Sequence, residues 1–540
     1  VQHRPDFPRR PTSTPEAQGP EFKVQRDRGV QILLTASEAY PVLERAFLSA
    51  RHEIWVGFRV FDLDTHLHSP EARAIGARWF DLVVHTLARG VRLRVALTDF
   101  DPVVRPVVHA RTWRTLRMFH GAAEIAGPGA DLRIVPAMHP ARVGLLPRLA
   151  IWPMVMKTLR DTCTRLNALP PAERATVLRD SPRLVPWLVT REDGRLRPRY
   201  ASVPVMVPAT HHQKLAIFDR QRLYIGGLDL NDRRYDTPAH DKPGPETWQD
   251  VQLMVEGPVV AEAQRHLETF LSVVAGTAPP APQRRLLRTL SRKRRVEWPF
   301  FGPAPVTSEI AAGHDLLIAR ADRLIYLESQ FFRDRHLARA LAEAARRNPA
   351  LGLIVMLPSA PEEVAFDASD HLDARFGEYL QGRCLRILTR AFHERVFIAA
   401  AAQRRRAGRP RGLDNGRDRI RGAELIYVHS KVSIFDTDRA IVSSANLNGR
   451  SLRWDTEAGV FLNDPAVVRR LRERLFAHWL PEGAGAAFSD PATAVRAWRH
   501  LGIRNARRAP EAREGLFVPY DLKLSESYGT VLPGVPEEMV

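Results

Sequence analysis

A histidine and a lysine two residues apart occur twice in this chain. They stand as His212-Gln213-Lys214 with Asp219 five residues beyond the lysine, and as His429-Ser430-Lys431 with Asp436 at the same spacing. Alternate residues of an extended segment share a face, so each copy sets an imidazole beside a fixed positive charge. That pair suits phosphate chemistry: the imidazole can attack phosphorus or carry a proton near neutral pH, and the ammonium can neutralise non-bridging oxygens. One copy is half of a site. Two lysines would hold the charge that develops on a phosphoryl group, and two histidines on opposite sides would serve the attack and departure of an in-line displacement. His211 adjoins His212 but points to the other face, which makes it a poor nucleophile.

The repeat runs well past the motif. Ile225-Gly226-Gly227-Leu228-Asp229-Leu230-Asn231 follows the first copy and Val442-Ser443-Ser444-Ala445-Asn446-Leu447-Asn448 follows the second, each small-residue turn at the same distance from its histidine. Farther on, Asp250 and Glu457 each lie eight residues before a proline, Pro258 and Pro465. The chain therefore carries two homologous halves.

These residues need elements to position them. Residues 53–58 and 324–330 read as strands, each followed by a helical stretch and a second apolar run, 91–97 in one half and 351–357 in the other. The alternation favours an α/β fold, a helix-covered sheet built once per half. Residues 215–218 and 432–435 extend the motif segments inward and set the histidines toward one sheet end, where two halves can face each other across a cleft.

A chain of 540 residues exceeds one ordinary domain. The expected division is an extended arm over 1–25, a first domain over 26–275 with an insertion at about 140–210, a basic proline-rich linker over 276–305, a second domain over 306–500, and a tail over 501–540. The formal charge of +19 favours anionic partners. Cations crowd residues 284–295 and 404–419, which read as two solvated loops or as an electropositive rim that gathers anionic substrate or membrane. Apolar, proline-broken residues 145–156 are flanked by cations and read as a buried element, a pocket lid or an interfacial contact. No uncharged apolar run reaches membrane-spanning length and no secretory leader is expected, so the expected location is cytoplasmic, peripheral at the inner membrane face. Cys163 and Cys384 are too few for a disulfide framework, and neither metal nor cofactor is expected.

Both motifs have the form HxKxxxxD followed by a small-residue turn, and the chain thereby resembles the phospholipase D superfamily over roughly residues 31–481, in particular its eukaryotic-like two-motif members. Tyr326-Leu327-Glu328-Ser329-Gln330 is similar to a strand that precedes the second motif there. The resemblance implies two α/β/α sandwich domains about a pseudo-two-fold axis with the active site at their interface. It also implies a phosphohistidine mechanism, with His212 as nucleophile and His429 as proton donor and later base. Lys214 and Lys431 would hold the phosphoryl oxygens, and Asp250 and Glu457 match acids that fix the imidazole tautomer. Asn446 matches a position that bonds near the phosphate. Asp229 stands there in the first half and must face a lysine or lie off the anion, and Asp219 and Asp436 read as structural. The implied substrate is a glycerophospholipid at an anionic membrane surface. Its distal phosphodiester would pass to water, giving phosphatidic acid, or to a small alcohol, giving a phosphatidyl-alcohol. Cardiolipin synthase-type transfer and a nuclease of the same superfamily are the alternatives, although nucleic acid is not the expected partner. Both motifs lie in one chain, so a monomer is expected.

Overall fold

The computed structural model describes residues 29–367, 371–408 and 416–540. Its first large sheet has seven strands in the order Val30–Leu34, Val251–Glu256, Arg222–Gly226, Leu215–Phe218, Glu53–Phe58, Arg92–Thr98 and Leu132–Ala137. The first four junctions are antiparallel and the last two parallel. The inner strands of the second sheet repeat this pattern: Leu286–Arg292, Glu457–Leu462, Arg439–Ser443, Lys431–Phe435, Leu324–Ser329, Gly352–Leu357 and Val396–Arg406. Again four antiparallel junctions precede two parallel ones.

The parallel portions follow from the sequence. Helices Trp79–Ala88 and Pro106–Ala126 make the crossovers of the first sheet, and Arg335–Arg347 and Leu372–Phe392 those of the second. Strands covered on both faces lose the apolar and polar alternation of a half-exposed sheet, and Gly352–Leu357 is buried at every position. One core cluster draws on both halves, joining Leu215, Ile225 and Leu253 to Ile434, Val460 and Leu471. The halves therefore share apolar interior.

Three expectations need correction. Within the range read as a linker, Leu286–Arg292 is an almost fully buried strand of the second sheet. Its Arg288 is buried because Glu309 accepts from both Nε and Nη2, at 2.9 and 2.6 Å; a charge run signals a solvated loop only where no carboxylate meets it. Within the range read as a tail, Phe517–Pro519 pairs with Val396–Arg406, and Phe517 and Val518 are buried. Nor are Arg405, Arg406 and Arg417 of the arginine-rich 404–419 segment free. Arg405 pairs with Glu424, Arg406 with Glu511, and Arg417 is buried against Glu378 at 2.5 Å. Arg409, Arg411 and the arm over 1–25 lie outside the described residues. The insertion holds helices Leu145–Asn167 and Pro171–Asp180 and a small hairpin, around its own apolar cluster that includes Val155, Met156 and Leu159. Among the described residues, no helix is long and apolar enough to cross a membrane.

Candidate active site

Both histidines lie in extended segments just before their strands, and those segments are pinned across the two halves. The His212 and Gln213 amides donate to Thr456 O at 2.8 and 2.9 Å, and the His429 and Ser430 amides donate to Gln249 O at 2.8 and 3.1 Å. Thr456 precedes Glu457 and Gln249 precedes Asp250, so each backbone contact delivers a carboxylate to the imidazole of the other half. Glu457 lies 3.0 and 3.2 Å from His212 Nδ1 through its two oxygens, and Asp250 Oδ2 lies 2.7 Å from His429 Nδ1. With Nδ1 held this way, Nε2 of each ring is left for chemistry.

The small-residue turns make room for those carboxylates. A Cβ on Gly227 would stand 2.3 Å from Asp250 Oδ1, while in the second half Ser444 Oγ donates to Glu457 Oε2 at 2.5 Å. Each turn thus supports the acid that braces the histidine of the opposite half.

The four motif side chains form one electrostatic cluster. The charges of Lys214 and Lys431 both reach His212, and both reach His429. Burial first, and these cations next, hold the two imidazoles well below the ordinary histidine range. Burial also lowers Lys214 to about 8 and Lys431 to about 7, and it raises Asp250 to about 6 and Glu457 to about 8. Each lysine ammonium donates to the carbonyl of its own histidine, Lys214 at 2.5 Å. The His212 and His429 side chains keep only 12% and 4% exposure, so a phosphoryl group held here would meet the cations with little solvent screening.

Asp229 is surrounded by positive charge. Its Oδ2 is 3.9 Å from Lys214 Nζ, 3.5 Å from Arg234 and 4.0 Å from Arg59, and its Oδ1 accepts from Val60 N at 2.9 Å. In the second half Asn446 donates to Gln330 Oε1 at 3.2 Å, and Lys431 Nζ lies 3.5 Å from that same oxygen. Arg59 and Gln330 each directly follow the first parallel strand of their half. One half therefore has a charged pair where the other has two amides. Sequence reasoning gave Arg59, Arg234 and Gln330 no role; the only signal was their matched place after a strand, or, for Arg234, its place five residues past Asp229.

Asp219 and Asp436 stand apart from this cluster. Asp219 accepts from the amides of Arg51, His52 and Glu53, and Asp436 from those of Asp322, Arg323 and Leu324, so each fastens the entry to the first parallel strand of its half.

The balance of charges predicts a bell-shaped pH profile for kcat/KM. Its acid limb marks ionisation of the bracing acids Asp250 and Glu457, both raised by burial, and its alkaline limb marks loss of the lysine protons, both lowered by burial. A bound phosphodiester anion raises the lysine pKa values, so the alkaline limb of kcat should lie above that of kcat/KM. Rate measurements from pH 5 to 10 check this, and Asp250→Asn should change the acid limb by removing one of its two carboxyls; coincident alkaline limbs would place the lysines away from the anion.

Residues 316–479, which hold His429, Lys431 and Glu457, match the family described as cardiolipin synthase, PLD-like domain. A cardiolipin synthase of Listeria monocytogenes serotype 4a (strain HCC23) is 25% identical over 291 residues, 52% of each chain. Phospholipase D alpha 1 of Carica papaya is 22% identical over 356 residues, 45% of this chain and 44% of that one. The chain spans about half the length of the curated relatives it matches. Phosphatidylserine synthase of Haemophilus influenzae Rd KW20 superposes with a TM-score of 0.47 at 12% identity, over 92% of this chain and 97% of that one. The family match falls on the half that supplies one histidine, one lysine and one bracing carboxylate of the site, so that half is similar to a PLD-like domain.

Proposed function

We propose that this protein transfers phosphatidyl groups between alcohols, in the manner of a cardiolipin synthase, through a phosphohistidine on His212. The observation that carries the reading is the reciprocal bracing of two imidazoles by carboxylates from opposite halves, with a lysine beside each. In the first step His212 Nε2 attacks phosphorus as the bond to the leaving alcohol breaks, and His429, which takes up a proton once the phosphate anion offsets the neighbouring ammonium charges, gives its Nε2 proton to that oxygen. In the second step the acceptor alcohol gives its proton to His429 and displaces His212. Asp250 stabilises the His429 imidazolium and Glu457 orients His212, while Lys214, Lys431 and the nearby Arg59 and Arg234 hold the phosphoryl oxygens. We read the recurring strand order as two α/β/α halves about a pseudo-two-fold axis, which would present the histidines to opposite sides of phosphorus.

Transfer is preferred to hydrolysis because the matching family model and the Listeria relative are both described as cardiolipin synthases. Hydrolysis to phosphatidic acid is the second reading, on the similarity to a plant phospholipase D. Vesicles of phosphatidylglycerol, incubated in chelator with and without ethanol, should yield diphosphatidylglycerol and, with ethanol, phosphatidylethanol. Phosphatidic acid as the only product by mass analysis would establish hydrolysis instead, and no turnover of any phospholipid would overturn the lipid reading.

A further inference from the structure

Leu145, Leu146 and Leu149 at the start of the Leu145–Asn167 helix, and Val296, Trp298 and Phe300 in the loop after Leu286–Arg292, are each between 42% and 56% exposed. Distant in sequence, the two segments are joined by their backbones. Gly144 N donates to Phe300 O at 2.8 Å and Leu146 N to Trp298 O at 3.0 Å, so loop carbonyls satisfy amides at the helix start. The approach is so close that a Cβ on Gly144 would lie 1.9 Å from Glu297 O. Arg294 sits over the Phe300 ring at 4.1 Å and donates to Gly302 O at 2.8 Å, which fixes the ring in its outward position. Exposed apolar side chains on two segments fastened together this firmly call for a partner.

Its surroundings say which kind. Residues 142–149 and 292–301 contain the six cations Arg142, Arg148, Arg292, Lys293, Arg294 and Arg295 and one carboxylate, Glu297, which is already 4.0 Å from Lys293. An apolar face with a tryptophan, on two segments that carry six cations on long stems, matches a bilayer whose headgroups are anionic. The surface is also rooted beside the cleft. Val143 N donates to Met206 O at 2.9 Å, six residues before His212, and Gly302 packs on the Trp454 ring, three residues before Glu457.

We propose that this surface docks the protein onto an anionic lipid bilayer and sets the cleft mouth at the headgroup layer. The proposal rests on the lipid reading of the site and gives that site its orientation toward substrate. Co-sedimentation with vesicles of phosphatidylglycerol and phosphatidylcholine, against phosphatidylcholine alone, tests it apart from catalysis. Wild-type protein should prefer the anionic vesicles, and the double variant L146S/W298S should bind them roughly tenfold or more weakly. Turnover of a short-chain, monomeric phosphodiester should stay within about twofold, which also reports that the variant is folded. A second variant, K293E/R295E, should remove the preference for anionic over neutral vesicles while leaving the apolar face in place. Unchanged vesicle affinity in both variants would overturn the proposal, as would a wild-type dimer that L146S/W298S disperses, because the face would then belong to a second copy. Binding of anionic vesicles without phospholipid turnover would leave the docking surface standing and sink the lipid reading of the site.

Discussion

Replacing either His212 or His429 with alanine is expected to lower phospholipid turnover by roughly 10⁴-fold or more, since each step needs both a nucleophile and a group that moves a proton. The two losses should differ in kind. An aryl phosphodiester has a leaving group that departs without a proton, so the first step no longer needs His429. With that substrate, His429→Ala should still form the covalent intermediate and then stall, because nothing activates the acceptor. His212→Ala should form none. Rapid quenching under non-acidic conditions, followed by peptide mapping, should place phosphate on residue 212 in the first variant. A label confined to residue 429 in wild-type protein would reverse the assignment. Both rings are buried against carboxylates, so thermal melts must accompany the rates; an alanine variant that melts with wild-type cooperativity leaves chemistry as the cause.

The dyads were legible in the sequence because they repeat, and so were the strands that follow them, since runs such as Leu215–Phe218 and Lys431–Phe435 are apolar and short. Strand order within each sheet and the crossing of the braces were not. Asp250 and Glu457 could be recognised as matched acids, but which histidine each would meet depends on contacts across 179 and 245 residues. Arg288 was misleading for a related reason: a charge's environment is set by a partner, here Glu309, 21 residues away. The 145–149 stretch was recognisably apolar, yet its exposure depends on the 296–300 loop, whose carbonyls hold the helix start in place.

Replacing Lys214 or Lys431 with methionine should lower kcat by roughly 10²- to 10³-fold each, as expected when one donor to a developing phosphoryl charge is removed. Stability should move the other way, or not at all. Both ammonium groups are buried, each opposes the charge of the other, and burial alone pulls both below their ordinary pKa. An apolar side chain of similar length removes one such buried charge, although at position 214 it also leaves Asp229 with fewer cations. Lys431→Met likewise leaves Asp250 with fewer cations while it removes a desolvated charge, so its melting temperature should stay near that of the wild type. Lys431→Arg keeps the charge but is bulkier and differently shaped at the His429 carbonyl, so it should recover only part of the rate. A phosphate-like anion supplies a decisive reading. In wild-type protein, orthovanadate or inorganic phosphate relieves the repulsion between the two ammonium groups and should raise the melting temperature in proportion to its occupancy. That stabilisation should shrink sharply in Lys431→Met. If the variant keeps wild-type kcat and the same response to the anion, the lysines serve packing alone and the charge on phosphorus is met elsewhere, with Arg59 and Arg234 the first residues to test.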